Sequence, residues 1–411
     1  MALIVQKYGG SSVADASKML EVARRIAKTS KKGDQVVVVV SAPGDTTDDL
    51  ITLAHKITDN PDEREMDVLL ATGEQQAIAL LALAIQACGC DAISFTGPQV
   101  GIVTDNVHTK ARIVKVGDST IRKALSQGKV VVVAGFQGMN KDNEITTLGR
   151  GGSDLTAVAI AAALKADVCE FYKDVDGVFT ANPHIVKDAK KLTMVSYEEM
   201  LEMASAGAQV LNARSVEFAK NFGIKIHVRP TFNEKEGTIV MQETKAMEKV
   251  VISGVTYNKS EAKVTVRGVP DRPGVASILF SKLGAAGVNV DMIIQNIGEK
   301  GHSDVSFTVE RSELKKTMKV VDQASKTLKP AGVISDERIA KVSVVGVGMR
   351  SHSGVAAKMF KALAEEEVNI QMISTSEIRI SVVIDEKDVA KAVSAIHKKF
   401  HLGKKVAGVR G

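Results

Sequence analysis

The residues best equipped for chemistry in this 411-residue chain gather around two glycine pairs. Lys7-Tyr8-Gly9-Gly10-Ser11-Ser12 follows directly on Leu3 to Tyr8, a run that reads as a strand. Paired glycines let backbone amides approach an anion closely, and Lys7, just ahead of the turn, can reach a phosphoryl group as a point charge. Alone, the pair is equally a tight turn beside a surface lysine; it is neither a Walker A loop nor a dinucleotide-binding GxGxxG. The second element is Thr146-Thr147-Leu148-Gly149-Arg150-Gly151-Gly152-Ser153-Asp154, which opens a helix. Arg150 offers a planar fork suited to a carboxylate. Gly151, Gly152 and Ser153 present amides at a helix N-terminus, where anions are favoured. Asp154 either caps that helix or orients a catalytic lysine.

Three further stretches could line the same site. Ser41-Ala42-Pro43-Gly44-Asp45-Thr46-Thr47-Asp48 is a hydroxyl-rich turn after a buried strand. Thr72-Gly73-Glu74 puts a carboxylate at an expected helix start, where complementing the helix dipole is its ordinary use. Lys173-Asp174-Val175-Asp176-Gly177-Val178-Phe179, followed by Thr180 to His184, contains the DxDG of a calcium loop but lacks that loop's later glutamate. Cys88-Gly89-Cys90 has no second cluster to complete a metal site. No set of side chains is assigned to a metal.

The elements that must position these residues divide at about residue 245. Before it, short β-branched runs (Leu3 to Tyr8, Gln35 to Ser41, Lys129 to Ala134) alternate with helical stretches (Ala16 to Lys28, Glu74 to Ala87, Asp154 to Leu164). That alternation predicts an α/β fold, a mostly parallel sheet between helix layers, with ligands at the carboxyl ends of the strands. The polar stretches Phe232 to Gly237 and Gln242 to Glu248 mark the boundary. Beyond it the chain repeats itself at about eighty residues: Lys263 to Gly268 matches Lys341 to Gly346, Gly274-Val275-Ala276 matches Gly354-Val355-Ala356, and Val288 to Ile293 matches Val368 to Ile373. Each copy reads as a ferredoxin-like βαββαβ unit. The first spans about 262–337 and the second about 341–411, the second completed by a strand from 250–258.

Composition narrows the field. A formal charge of +6 with only 4% aromatic residues lacks the stacking platforms of nucleic-acid readers, and the basic clusters Lys28 to Lys32 and His397 to Lys405 read as solvated helix ends. The apolar runs Val36 to Val40 and Val130 to Ala134 are strand-length, too short to cross a membrane, and the N-terminus has no basic leader. Three cysteines form no disulfide framework and fit a reducing cytoplasm.

Taken in order, KYGGSS, SAPGDTTDDL, TGE, FTGPQVGI, VAGFQG, TTLGRGGSD and DVDGVFTANP resemble the aspartate kinases of the amino acid kinase family, across essentially the whole chain, with two ACT-type domains at its end. The resemblance implies transfer of the ATP γ-phosphoryl group to the β-carboxylate of L-aspartate, with Mg2+. It makes this the first step of lysine, threonine and methionine biosynthesis, subject to feedback through the ACT domains. In that reading Lys7 stabilises the transferring phosphoryl and Asp154 holds Lys7. Arg150 clamps the α-carboxylate and Glu74 pairs with the α-ammonium. Thr47, Ser153, Gly151, Gly152 and the backbone near Phe136 complete the substrate pocket. Tyr8, Gly9, Gly10 and Ser41 line the phosphates, and Lys173, Asp174, Val175, Phe179, Thr180, His184 and Gln209 line the nucleotide. A β-carboxylate with an unperturbed pKa near 3.9 is already a nucleophile at neutral pH, so no general base is needed.

The chain departs from many relatives at Phe179, Asn182, His184 and Gln209, where Tyr, Asp, Arg and Lys are common; Lys173 and Arg214 are candidates to make up the lost positive charge. In the tail, the resemblance implies effector contacts at Asp271, Pro273, Gly274, Val275, Asn289, Asp291, Met292, Gln295 and Asn296. In the second copy it implies Val355, Ala356, Asn369, Ile370, Ser376 and Glu377. Gln371 stands where the first copy has Asp291, so the two sites should differ. Lysine, threonine or both are the expected effectors. The ACT domains imply a homo-oligomer, or an α2β2 assembly if Met247-Glu248 serves as an internal start. Two other readings stay open on the residues alone: a kinase of the same fold acting on another amino acid, and a regulatory chain that only senses amino acids.

Overall fold

The computed structural model describes residues 1–245, 247, 250–297 and 301–403, and they form two units. The first comprises residues 1–178, 191–204 and 209–247; the second takes in 179–190, 205–208 and the rest of the chain. The boundary expected near 245 falls two residues later, and two inner segments that the sequence reading gave to the kinase half belong to the second unit.

The first unit is built on an eight-stranded, mostly parallel sheet. Leu3–Tyr8 lies at its centre, paired in parallel with Gln35–Val40 on one side and Val168–Lys173 on the other. Beyond Gln35–Val40 come Val130–Ala134 and Ala92–Phe95; beyond Val168–Lys173 come Ile226–Pro230, Thr238–Met241 and Met194–Ser196. QVVVVV and VVVVA are buried on both faces, as strands covered by helices on either side must be. One covering helix, Ala16–Lys31, starts at Asp15, whose side chain accepts the Lys18 amide. Another, Gly152–Leu164, is almost wholly buried and is rich in alanine, which allows close packing on the sheet.

The helix expected from Glu74 begins instead at Glu63 and runs to Ala87, with Asp62 capping the amides of Arg64 and Glu65. Glu74 is therefore an interior helical residue and does not sit at the dipole's positive end. Among the described residues this is the one helix long and apolar enough, by length and composition, to cross a membrane. Its buried face carries Asp67 and Glu74, both with protein partners, which identifies it as a core helix.

In the second unit the repeat appears as two four-stranded antiparallel sheets. The first copy orders its strands as Val290–Ile297, His302–Glu310, Glu261–Pro270, Gly332–Asp336. The second orders them as Met372–Thr375, Arg379–Asp385, Ile339–Val345, Gly254–Asn258. Strand Gly254–Asn258 precedes the first copy in the chain yet pairs with Ile339–Val345 of the second, so the first copy is an insertion. Helices Val275–Ala285 and Val355–Glu365 start at the repeat-related Gly274 and Gly354. The copies meet around Met292 and Met372, themselves repeat partners, with Ile339 and Val383.

Candidate active site and effector region

Lys7 and Asp154 form the centre of the first unit's site. Lys7 lies near the carboxyl end of the central strand, and its Nζ stands 2.6 Å from Asp154 Oδ1, both side chains nearly inaccessible. Lys173, at the end of the neighbouring strand, takes the other oxygen, Oδ2, at 3.2 Å. Burial alone would raise the Asp154 pKa, but the charges of Lys173 and Lys7 outweigh it and hold it at about 2. Burial pulls the Lys7 ammonium below its usual value, against the opposing attraction of Asp154.

The loops after the first two strands close over this pair. Gly10 has no room for a side chain, because a Cβ there would lie 2.6 Å from the Ala42 carbonyl oxygen. Its own carbonyl accepts the Gly44 amide at 3.0 Å, and the Ser41 amide donates to the Tyr8 carbonyl. Ser12 and Thr231 share a hydroxyl contact of 2.8 Å, bringing in the loop after Ile226–Pro230. Tyr8 itself is fully buried, stacked on Tyr172 at 4.6 Å and bonded to Gln6. Its side chain belongs to the core, and only its backbone lines the loop.

Glu74 reaches the same place from the long helix. Gly73 permits this, since a Cβ there would meet Ala42 Cβ at 2.7 Å. Glu74 Oε1 accepts the Ala42 amide at 3.0 Å, while Oε2 is buried without a hydrogen-bond partner. Desolvation pushes its pKa up to about 7, against the lowering effects of the Ala42 amide and Lys7. A buried carboxylate oxygen lacking a donor is suited to a ligand ammonium.

Arg150 lies immediately before Gly151, the N-cap of Gly152–Leu164; no side chain caps that helix. Its guanidinium is exposed, four positions ahead of Asp154. The turn is fixed from several sides. Asn212 Nδ2 donates to the Arg150 carbonyl at 3.4 Å. The Leu148 amide donates to the Phe136 carbonyl, and the Phe136 amide to Thr156 Oγ1. Ser153 is buried and Thr47 half-buried. Arg214, a candidate to replace missing nucleotide charge, instead donates from Nη1 to the Leu148 carbonyl at 2.9 Å and so braces the Arg150 turn.

The sequence reading missed Asp67. Fully buried, it accepts from Thr147 Oγ1 at 2.5 Å and from the Thr109 amide, and its Oδ2 meets His108 Nδ1 at 2.8 Å. Burial opposes a charge on His108, yet the carboxylates of Asp67 and Glu144 prevail and raise its pKa. Asp67 precedes Glu74 by two helical turns on one face, a spacing that becomes legible once the true helix start is known.

The expected nucleotide residues divide between the units. Lys173, Asp174, Val175 and Gln209 belong to the first, with Asp174 and Gln209 exposed. Phe179, Thr180 and His184 belong to the second. Thr180 is buried, and its side chain has partners within the second unit. Its hydroxyl contacts His397 Nε2 at 3.0 Å and accepts the Lys190 amide, and its carbonyl accepts the Val255 amide. Phe179 packs on the core of the second ACT copy, and His184 is exposed.

Among the expected effector residues, Asp271, Pro273, Gly274, Asn289, Gln295, Asn296, Asn369, Ser376 and Glu377 are exposed. Val275 and Val355 are core side chains, Ala356 and Ile370 are half-buried, and Met292 is buried between the copies. Asp291 already has a cation, the ammonium of the buried Lys341, which also lies 2.6 Å from Glu261 Oε1. In the mirrored position Lys263 reaches Gln371. The Asp/Gln difference between the copies thus becomes an ion pair on one side and a neutral amide contact on the other. Glu248, of the proposed internal start, lies outside the described residues, as do Lys404 and Lys405.

Comparison with known proteins agrees with this architecture. The amino acid kinase family matches residues 2–230, and the ACT domain matches 246–324 and 342–400. An aspartate kinase of Pseudomonas putida is 51% identical over 403 residues, 98% of each chain. An aspartokinase of Mycolicibacterium smegmatis is 52% identical over 408 residues, 98% of this chain and 97% of the other. The crystal structure of aspartate kinase from Synechocystis is 43% identical with a TM-score of 0.55, covering 100% of this chain and 71% of that one. E. coli aspartokinase III, solved with aspartate and ADP, shares the fold, with a TM-score of 0.82 at 23% identity over 97% and 99% of the two chains. With full-length relatives at this identity and the kinase and ACT folds both in place, the chain belongs to the aspartate kinases of the amino acid kinase family.

Proposed function

We propose that the chain transfers the γ-phosphoryl group of ATP to the β-carboxylate of L-aspartate, giving 4-phospho-L-aspartate, the first step towards lysine, threonine and methionine. The observation that carries this reading is the 2.6 Å contact between Lys7 and Asp154 at the carboxyl ends of the strands. It places a lysine ammonium, oriented by a buried carboxylate, beside glycine-rich loops. Aspartate has three charged groups. The α-ammonium suits Glu74 Oε2, which is buried and lacks a donor. Arg150, at the rim of the Gly152–Leu164 N-terminus, suits the α-carboxylate. The β-carboxylate then faces the lysine side. It needs no base, so the protein's task is in-line positioning and neutralisation of charge on the phosphoryl oxygens.

Magnesium fits this donor set only as a nucleotide-borne ion. Both Asp154 oxygens are engaged by lysines, and among the described residues no group of three or more acidic, His or Cys side chains gathers elsewhere. Magnesium habitually binds through phosphates and few protein ligands. When bound it would add positive charge at the β- and γ-phosphates.

We assign sensing of lysine, threonine or both to the ACT copies, with exposed Gln295, Asn296 and Asp271 as contacts in the first. Inhibition requires the effector to bind one arrangement of the enzyme better than another. The antiparallel sheets with open edge strands, Val290–Ile297 and Met372–Thr375, suit assembly with a second copy. Three free thiols favour a reducing, cytoplasmic setting.

The test is hydroxylamine trapping of aspartyl phosphate from MgATP and millimolar aspartate, with lysine and threonine added singly and together. Absence of hydroxamate from the purified chain refutes the reading. Product with another amino acid but none with aspartate transfers it to a different substrate.

A further inference from the structure

We propose that Lys173 is a second phosphoryl-transfer lysine, acting on the γ-phosphate from the side opposite Lys7. The inference rests on reading this cleft as a phosphoryl-transfer site and assigns the charge within it.

Strand register supplies the first argument. Lys7 pairs with Phe171 on the parallel neighbour, so Lys173, two residues on, projects to the same face of the sheet and lies about 7 Å further along the strands. Strand order supplies the second. From Leu3–Tyr8 the chain builds outward in one direction through Gln35–Val40, and in the other through Val168–Lys173 and Ile226–Pro230. The crevice where an open sheet binds ligands opens between strands whose connections diverge in this way, and here those two strands end in Lys7-Tyr8 and Lys173. Asp154 reaches into the gap from the covering helix and takes one lysine on each oxygen.

Charge supplies the third. One ammonium is enough to neutralise Asp154. The second is offset only in part by Glu74, whose carboxylate burial pushes towards neutrality, in a place where Lys7 and Asp154 are almost sealed from solvent and Lys173 is 18% exposed. An uncompensated charge in such surroundings is costly, and an arriving γ-phosphate compensates it. Lys173 is also held near the Phe171 ring, 5.9 Å from its centroid, which limits its wandering. In the transfer step an aspartate β-carboxylate oxygen forms a bond to the γ-phosphorus while the bond from that phosphorus to the β,γ-bridging oxygen breaks. ADP leaves with the electron pair, and no proton moves. Lys7 and Lys173 then flank the equatorial oxygens as their charge redistributes.

The experiment compares wild type, Lys173→Met, Lys173→Arg, and Lys7→Met with and without Lys173→Met, in two assays. One is hydroxamate kinetics; the other is calorimetric binding of ADP and of the non-hydrolysable analogue AMP-PNP, each with magnesium. If Lys173 touches the γ-phosphate, Lys173→Met lowers kcat about a hundredfold. It weakens AMP-PNP about tenfold while ADP stays within about threefold, and Lys173→Arg recovers part of both losses. A lysine that only steadies Asp154 acts through Lys7, so Lys173→Met would then add nothing to the AMP-PNP loss in a Lys7→Met background; that result, or a kcat within about threefold of wild type, overturns the proposal. Should wild type form no hydroxamate, the aspartate assignment fails, and the AMP-PNP losses with and without Lys7 still decide the role of Lys173.

Discussion

Two buried lysine clusters, one in each unit, are built with opposite arithmetic. In the kinase unit a single carboxylate, Asp154, lies between two ammoniums, Lys7 and Lys173. In the ACT unit a single ammonium, Lys341, lies between two carboxylates, Glu261 and Asp291. The first has a second cation in the cleft proposed to take the γ-phosphate. The second has an anion to spare, and one of its oxygens, Glu261 Oε2, is buried without a partner. Intact buried ion pairs contribute little net stability, but removing one partner leaves a costly unpaired charge.

The comparison can be broken most decisively at Asp154. Asp154→Ala leaves Lys7 and Lys173 as unpaired like charges and should lower kcat/KM about a thousandfold; a loss under about tenfold would show that neither lysine depends on it. Next comes Lys341→Met, which strands Glu261 opposite Asp291. We expect the second unit to lose ~3 kcal/mol in calorimetric unfolding, and the added substitution Glu261→Gln to restore most of it. An unchanged melting profile would mean that the cluster is not an energetic unit.

The third effect is on pH. Glu74, with its pKa pushed up to about 7 in the free enzyme, is mostly neutral below that value, yet must be ionised to hold an ammonium. The KM for aspartate should therefore rise as pH falls through about 7, approaching tenfold per pH unit below it, while the KM for ATP stays flat. Glu74→Gln should raise the aspartate KM and abolish that dependence. The smallest effect sharpens the contrast between the repeats: Lys263→Met removes a half-buried lysine–amide contact and should cost under ~1 kcal/mol, well below the cost at its repeat partner Lys341.

What the sequence revealed and what it concealed follow from the range of the forces involved. The glycine pairs, the strand–loop–helix order and the eighty-residue repeat are local signals, and they pointed to Lys7, Asp154 and the twin sheets. The strand expected from 250–258 to complete the second copy appears as Gly254–Asn258, paired with Ile339–Val345. The start of the helix that carries Glu74 was misjudged. Pro61-Asp62-Glu63 is a sound helix N-terminus, but it lies far from the motif under attention, and Gly73 reads as a break until Ala42 is seen packing on it. Asp67 could not be singled out, since an acidic residue near a helix start is ordinary and its partners Thr109 and Thr147 are 42 and 80 residues away. Residues 179–190 look like one phrase with DVDG, and only three-dimensional packing assigns them to the core around Val255 and Ile396.

The interleaved ACT strands constrain how the polypeptide is made. Gly254–Asn258 leaves the ribosome before its partner Ile339–Val345 exists, and a complete four-stranded copy is synthesised between them. The inserted copy can finish folding first, and its ends, at Glu261 and Asp336, lie on adjacent paired strands, which brings the waiting strand close to the newly emerging one. A gene fragment beginning after Asn258 therefore encodes one whole sheet and one with an open flank. The inserted copy can be excised alone, whereas the second copy cannot be taken out by a single contiguous cut without it.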